Sequence, residues 1–175
     1  MKSFVLSVTL LVATLAAHGA SAVDELPWKA GMSPEQVRSV SPFGPYRAFS
    51  NGDLETYKGR WDGRDENFQF YFKDGKLARV SVDFYEGPDP AAAAARWLTL
   101  RHSMEKHFGA LEPADAVAQS DDAFLADAQS AAAQGTRRAL APAGSHGKPV
   151  FALLKREDIE GRMIHFVVLY FDLAP

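Results

Sequence analysis

The chain has 175 residues, 19 Lys and Arg against 22 Asp and Glu for a net charge of −3, and no cysteine. This excludes a disulfide-stapled scaffold and thiolate or Cys-type zinc chemistry, and the acidic balance offers nothing to nucleic acid or anionic lipid. A chain of this size buries enough apolar surface to hold a core without staples.

Met1-Lys2-Ser3 is a short positive start, Phe4 to Ala17 is an apolar run too short to cross a bilayer, and Ala20-Ser21-Ala22 is a small-x-small cleavage site. This is the pattern of a secretory signal peptide over residues 1–22. It places the remainder in a periplasm, with release outside the cell as the alternative. No later run is apolar enough to insert in a membrane after cleavage. Loss of Lys2 leaves 18 basic against 22 acidic side chains.

Val23 to Ala30 is a lead-in whose Trp28 is expected at the domain edge. Ser33, Pro34 and Gln36 spell an N-cap, a first-turn proline and a capping box, with Met32 and Val37 placed for a hydrophobic staple; Ser41-Pro42 ends this short helix. Asp53 to Trp61 alternates with Glu55, Tyr57, Gly59 and Trp61 on one side, and a turn at residues 62–65 leads into a hairpin over residues 67–85. In that hairpin Phe68, Phe70, Phe72, Val80, Val82 and Phe84 all fall on even positions, the period of a strand pair with one buried face. A two-residue Asp74-Gly75 turn would set Phe70 opposite Arg79. The parity therefore favours a three-residue Lys73-Asp74-Gly75 loop with Gly75 as a bulge, pairing Phe72 with Lys76 and Phe70 with Ala78.

Asp89-Pro90 opens the longest helix, Gly109 ends it, and Ala93, Trp97, Leu100, Met104 and Phe108 form one apolar stripe, expected on the even face of the hairpin. From Asp121-Asp122 to Gly135 the chain reads as a second helix, or, with the Ala-, Asp- and Gln-rich composition of 112–134, as a loose excursion; strands follow over 136–141, 150–156 and 162–171, the last central because both its faces are apolar. Residues 142–149 read as a loop. The order helix, then about three strands, thus occurs twice, over 23–87 and 88–175. That predicts one continuous α+β domain of two divergent repeats: an antiparallel sheet of about six strands with helices on one face.

Gly31-Met32-Ser33-Pro34-Glu35-Gln36-Val37, then Pro42-Phe43-Gly44-Pro45-Tyr46, then Phe70-Tyr71-Phe72-Lys73-Asp74-Gly75-Lys76-Leu77 resembles the repeat of the small outer-membrane-assembly lipoproteins (SmpA/OmlA) and of the β-lactamase-inhibitor-protein-like fold, over residues 31–86. The chain departs from both in lacking any cysteine for lipidation or disulfides. The resemblance implies a protein-binding module whose open sheet face meets its partner.

No catalytic residue, metal site or cofactor is expected. His102 and His107, five apart on a helix, do not share a face; His165 reads as a hydrogen-bonded sheet histidine; Ser145-His146 lacks a nucleophile elbow. Asp62, Asp65 and Glu66, and likewise Glu157, Asp158 and Glu160, read as solvated hairpin tips without a calcium-loop spacing. What remains is the odd face of the hairpin. Gln69, Tyr71, Arg79, Asp83 and Tyr85, joined by Tyr57 and Trp61, are the expected binding residues, because Tyr and Arg bring contact area and polar handles to an interface. The expected partner is an envelope or periplasmic protein, or an enzyme to be inhibited, met by a monomer or weak dimer. The alternative is a carrier holding a small hydrophobic ligand between the long helix and the sheet near Phe84, Trp97 and Met104.

Overall fold

A computed structural model of the chain describes residues 26–41, 43–144 and 149–173. The expected signal peptide, Pro42 and Ser145-His146 lie outside the described residues. Among these residues the chain forms eight strands and four helices: α1 (Pro34–Arg38), β1 (Arg47–Ala48), β2 (Leu54–Trp61), β3 (Arg64–Lys73), β4 (Lys76–Gly87), α2 (Pro90–Phe108), β5 (Leu111–Glu112), α3 (Ala114–Val117), α4 (Asp121–Gln134), β6 (Arg138–Pro142), β7 (Val150–Ile159) and β8 (Arg162–Asp172). The strands make one antiparallel sheet in the order β1-β2-β3-β4-β8-β7-β6-β5. The last strand of each half thus meets at the centre, and each edge ends in a two-residue strand, too short to template another chain. The sheet exceeds the expected six strands because β1 and β5 carry no alternation of their own; they form only against β2 and β6.

Local signals account for the helices. The Ser33–Gln36 capping box starts α1, Asp89 caps α2 through Ala91 N, and Gly109 follows its last turn. α4 is capped by Ser120, one residue before the expected Asp121-Asp122, and closed by Gly135 in the left-handed conformation. Arg156 donates to the carbonyl of Ala133 at 2.8 Å, placing a cation where the α4 dipole ends.

α2 lies across β4, β8, β7 and β6, and α4 packs on α2 with the Trp97 and Phe124 rings stacked 6.3 Å apart. Ala93, Trp97, Leu100 and Met104, four of the five stripe residues, are buried. Trp28 is not at the domain edge: it is 1% exposed, with ring centroids 4.8–5.3 Å from Phe43, Phe68 and Phe70, and so closes the core over β2 and β3.

The hairpin turn differs from the expected three-residue loop. Lys73 pairs with Lys76 and Phe72 with Leu77 around Asp74 (φ 52°) and Gly75 (φ 71°), a two-residue turn of the kind whose twist matches the strands. The parity conflict is resolved one step later: Ala78 is an extra residue, so Tyr71 pairs with Arg79 and Phe70 with Val80. A bulge inside the strand does what a bulge in the loop was expected to do. Asp62-Gly63 and Glu160-Gly161 make two further two-residue turns with positive φ at both positions.

Candidate functional site

Helices cover one face of the sheet. The registers show which side chains the other face carries, and at its centre Ser81, Glu55, Val168 and Leu153 are buried. One row runs Glu55, Gln69, Ser81, Tyr170, Phe151 across β2, β3, β4, β8 and β7; beside it run Asn67, Asp83, Val168, Leu153 and, on the other flank, Tyr71, Arg79, Asp172. Four expected site residues, Gln69, Tyr71, Arg79 and Asp83, are therefore neighbours on this face.

Tyr57 lies at its margin, 60% exposed, at an irregularity between Thr56 and Gly59. That same irregularity turns Trp61 away. Trp61 is buried on the helix side, where its indole N–H donates to Ser103 Oγ at 2.7 Å, so the expectation that it shares a face with Tyr57 is corrected. Tyr85 is corrected for the same kind of reason. An extra residue between Asp83 and Tyr85 pairs Tyr85 with the core residue Val167, and its hydroxyl accepts from the Asp89 amide at 3.1 Å.

Arg79 does not pair with Asp83. Its Nε donates to Asp172 Oδ1, and the guanidinium stands 5.6 Å from the Phe151 ring centroid and 5.2 Å from that of Tyr170. Those two rings stack at 5.0 Å. The bond to Asp172 holds the Arg79 pKa above its usual value. The result is a cation seated on an aromatic platform, half-buried but reachable. A hollow of about 660 Å³ opens beside it, floored by Phe151, Leu153, Ala139 and Ala141 and rimmed by Arg137 and Asp172. Another of about 310 Å³, between Tyr71 and Arg79, shares Asp172.

On the other flank, Tyr71 OH donates to Gln69 Oε1 at 2.8 Å, Gln69 Nε2 donates to Asp83 Oδ2 at 2.7 Å, and Ser81 Oγ donates to Asp83 Oδ1 at 3.2 Å. Burial pushes the Tyr71 hydroxyl up to about 12. It also pushes Asp83 up to about 7, against the bond from Ser81 and with the charges of Glu86 and Glu55 adding to it.

The helix side carries a different carboxylate cluster. Asp62, expected as a solvated turn residue, receives bonds from three side chains of α2: Ser103 Oγ, Lys106 Nζ at 2.6 Å and His107 Nε2 at 2.8 Å. Burial works to raise its pKa, but these donors outweigh it and bring it down to about 2. Ser103 and His107 both bond to the carboxylate and not to each other, so the group clips the β2–β3 turn to α2 without the geometry of a nucleophile and its base. His102 pairs separately with Asp121 at 3.0 Å, and His165 Nε2 lies 3.1 Å from the carbonyl of Ala132. Among the described residues no three His, Asp or Glu side chains gather as metal ligands would, and no helix is long and apolar enough to cross a membrane.

Phe84, Trp97 and Met104, between which a ligand space was expected, are 6, 2 and 0% exposed and share one core cluster. Phe151, Tyr170 and Asp172 went unnoticed in the sequence. Segments 150–156 and 162–171 are apolar at odd and even positions alike, so no alternation marks Phe151 and Tyr170, and only the β4–β8–β7 strand order sets them beside Arg79.

No family model and no curated protein matches this sequence, and no solved structure matches the fold.

Proposed function

We propose that the protein is a non-catalytic binding module of the cell envelope that takes a protein partner, or an enzyme to be inhibited, on the uncovered face of its sheet. The observation carrying this reading is Arg79 seated against Phe151 and Tyr170, with open hollows on either side of Asp172. Aromatic residues and arginine concentrate binding energy at interfaces because they bury large areas with few rotatable bonds and keep a polar end for specific contacts. The sheet order, in which each half contributes its last strand to the centre, suits two divergent repeats of one ancestral unit. Export through residues 1–22 completes the reading.

In-cell crosslinking with a photoreactive residue at Phe151 tests it. One envelope protein should be captured, and its yield should collapse in the Tyr71→Ala/Arg79→Ala variant while the thermal melt stays nearly unchanged. Equal capture by the double variant would refute this reading.

A further inference from the structure

We propose that Asp83 is the proton-sensing group of this face: its neutral acid form donates to Asn67 Oδ1, and loss of that proton reorganises the row through Gln69 to Tyr71. This deepens the binding reading by naming its regulation, and rests on that reading for its biological role.

The argument starts from an acceptor without a donor. Asn67 stands directly across from Asp83 in the β3–β4 register, and its Oδ1 is buried with no hydrogen-bond partner. Buried polar atoms are rarely left so. Asp83 receives one bond on each carboxyl oxygen, from Gln69 and from Ser81. An ionised carboxylate only accepts, whereas a carboxylic acid has one O–H to donate, and Asn67 Oδ1 is the unfilled acceptor opposite it.

The charges around the group point the same way. From β2 comes Glu55, itself 3% exposed and 3.5 Å from Arg47 of β1; from β4 comes Glu86. β8 contributes the neutral Tyr170 hydroxyl beside apolar Val168. β3 contributes Tyr71 and Gln69. The one nearby cation from β7, Lys155, is 2.6 Å from Glu157 and sits over the Phe166 ring, while Arg79 is held by Asp172. Two acids and two engaged cations around a half-buried carboxyl favour its neutral form, and desolvation brings the balance point to about 7.

The link to the surface is the Gln69 amide. Its N–H₂ end faces Asp83 and its oxygen holds the Tyr71 hydroxyl, so the amide's orientation couples the acid to the half-buried tyrosine. On ionisation the carboxylate draws in further donors, water or Lys155, and the Asn67 contact is lost.

Carbon-13 NMR titration of the free protein tests this without any partner. The Asp83 carboxyl resonance should titrate near pH 7, and the Tyr71 ring resonances should follow with the same midpoint. Asp83→Asn should abolish the Tyr71 response. Asn67→Leu keeps the site dry but removes the acceptor, so the Asp83 midpoint should fall; a rise would mean that Asn67 donates to the carboxylate, and would overturn the proposal. So would an Asp83 midpoint in the ordinary carboxylate range or a Tyr71 signal indifferent to pH. Thermal melts of both variants confirm folding. Because no partner enters the titration, its failure overturns only the sensor, and failed capture beside a normal titration overturns only the binding reading.

Discussion

Asp62 and Asp83 lie on opposite sides of one sheet, the first only partly and the second more deeply withdrawn from water, and their proton affinities move in opposite directions. Asp62 meets a lysine, a hydroxyl and an imidazole N–H from α2 and is held ionised, down to about 2. Asp83 meets an amide and a hydroxyl, has acidic neighbours, and is pushed up to about 7. Withdrawal from solvent disfavours the charge in both; the donors that replace water decide the outcome. The two faces differ in the same sense. On the covered face polar groups tie a turn to α2, while the other face holds a hydrogen-bonded polar row beside half-buried aromatics.

The widest separation between the faces should come from truncating the core. Trp97→Ala should cost about 3–5 kcal/mol in denaturant unfolding, as cavity-forming aromatic substitutions do, whereas Tyr71→Ala should change stability far less. Gly59→Ala breaks the covered face by overpacking: its Cβ would stand 1.9 Å from the Phe68 ring, so the strand must shift, at about 1–3 kcal/mol or more. If Gly59→Ala unfolds like the parent, Gly59 does not face Phe68.

Removing the clip comes next. Asp62→Ala leaves three α2 donors without their acceptor and should destabilise by about 1–3 kcal/mol near neutral pH. Because Asp62 binds its proton less readily folded than unfolded, its contribution is complete above about pH 4 and disappears as pH falls towards 2; wild type and variant should converge there. Asp83 behaves in reverse. Its folded form binds the proton more readily, so its stabilising effect is whole below about pH 4 and is lost as pH rises through 7. Asp83→Asn should therefore match wild type in acid and exceed it by about 1–3 kcal/mol at pH 9, read from paired melts. The smallest effect belongs to Arg79→Ala: its ion pair with Asp172 is well solvated, and its loss should cost under about 1 kcal/mol.

Much of the architecture was legible in local chemistry. Ser33 with Gln36, Asp89 with Pro90, and the 93–108 stripe mark helices because capping and periodicity act within a few residues. Even-position phenylalanines in β3 mark a buried face for the same reason. The open face was only half legible, because three register shifts, near Tyr57, at Ala78 and at Phe84, each reverse the inside–outside alternation downstream. Simple parity therefore placed Trp61 and Tyr85 on the wrong side.

By itself, then, the amino-acid order determined which segments become helices and strands, where they turn, and which residues of β3 face inward, since these depend on neighbours a few positions away. The tertiary structure alone decided that Asp62 grips α2 some forty residues later, that Arg79 meets Asp172, Phe151 and Tyr170, and that Asp83 lies where burial pushes its pKa up. Those outcomes depend on strand order and on single extra residues within strands, and both are settled only when the whole sheet closes around its core.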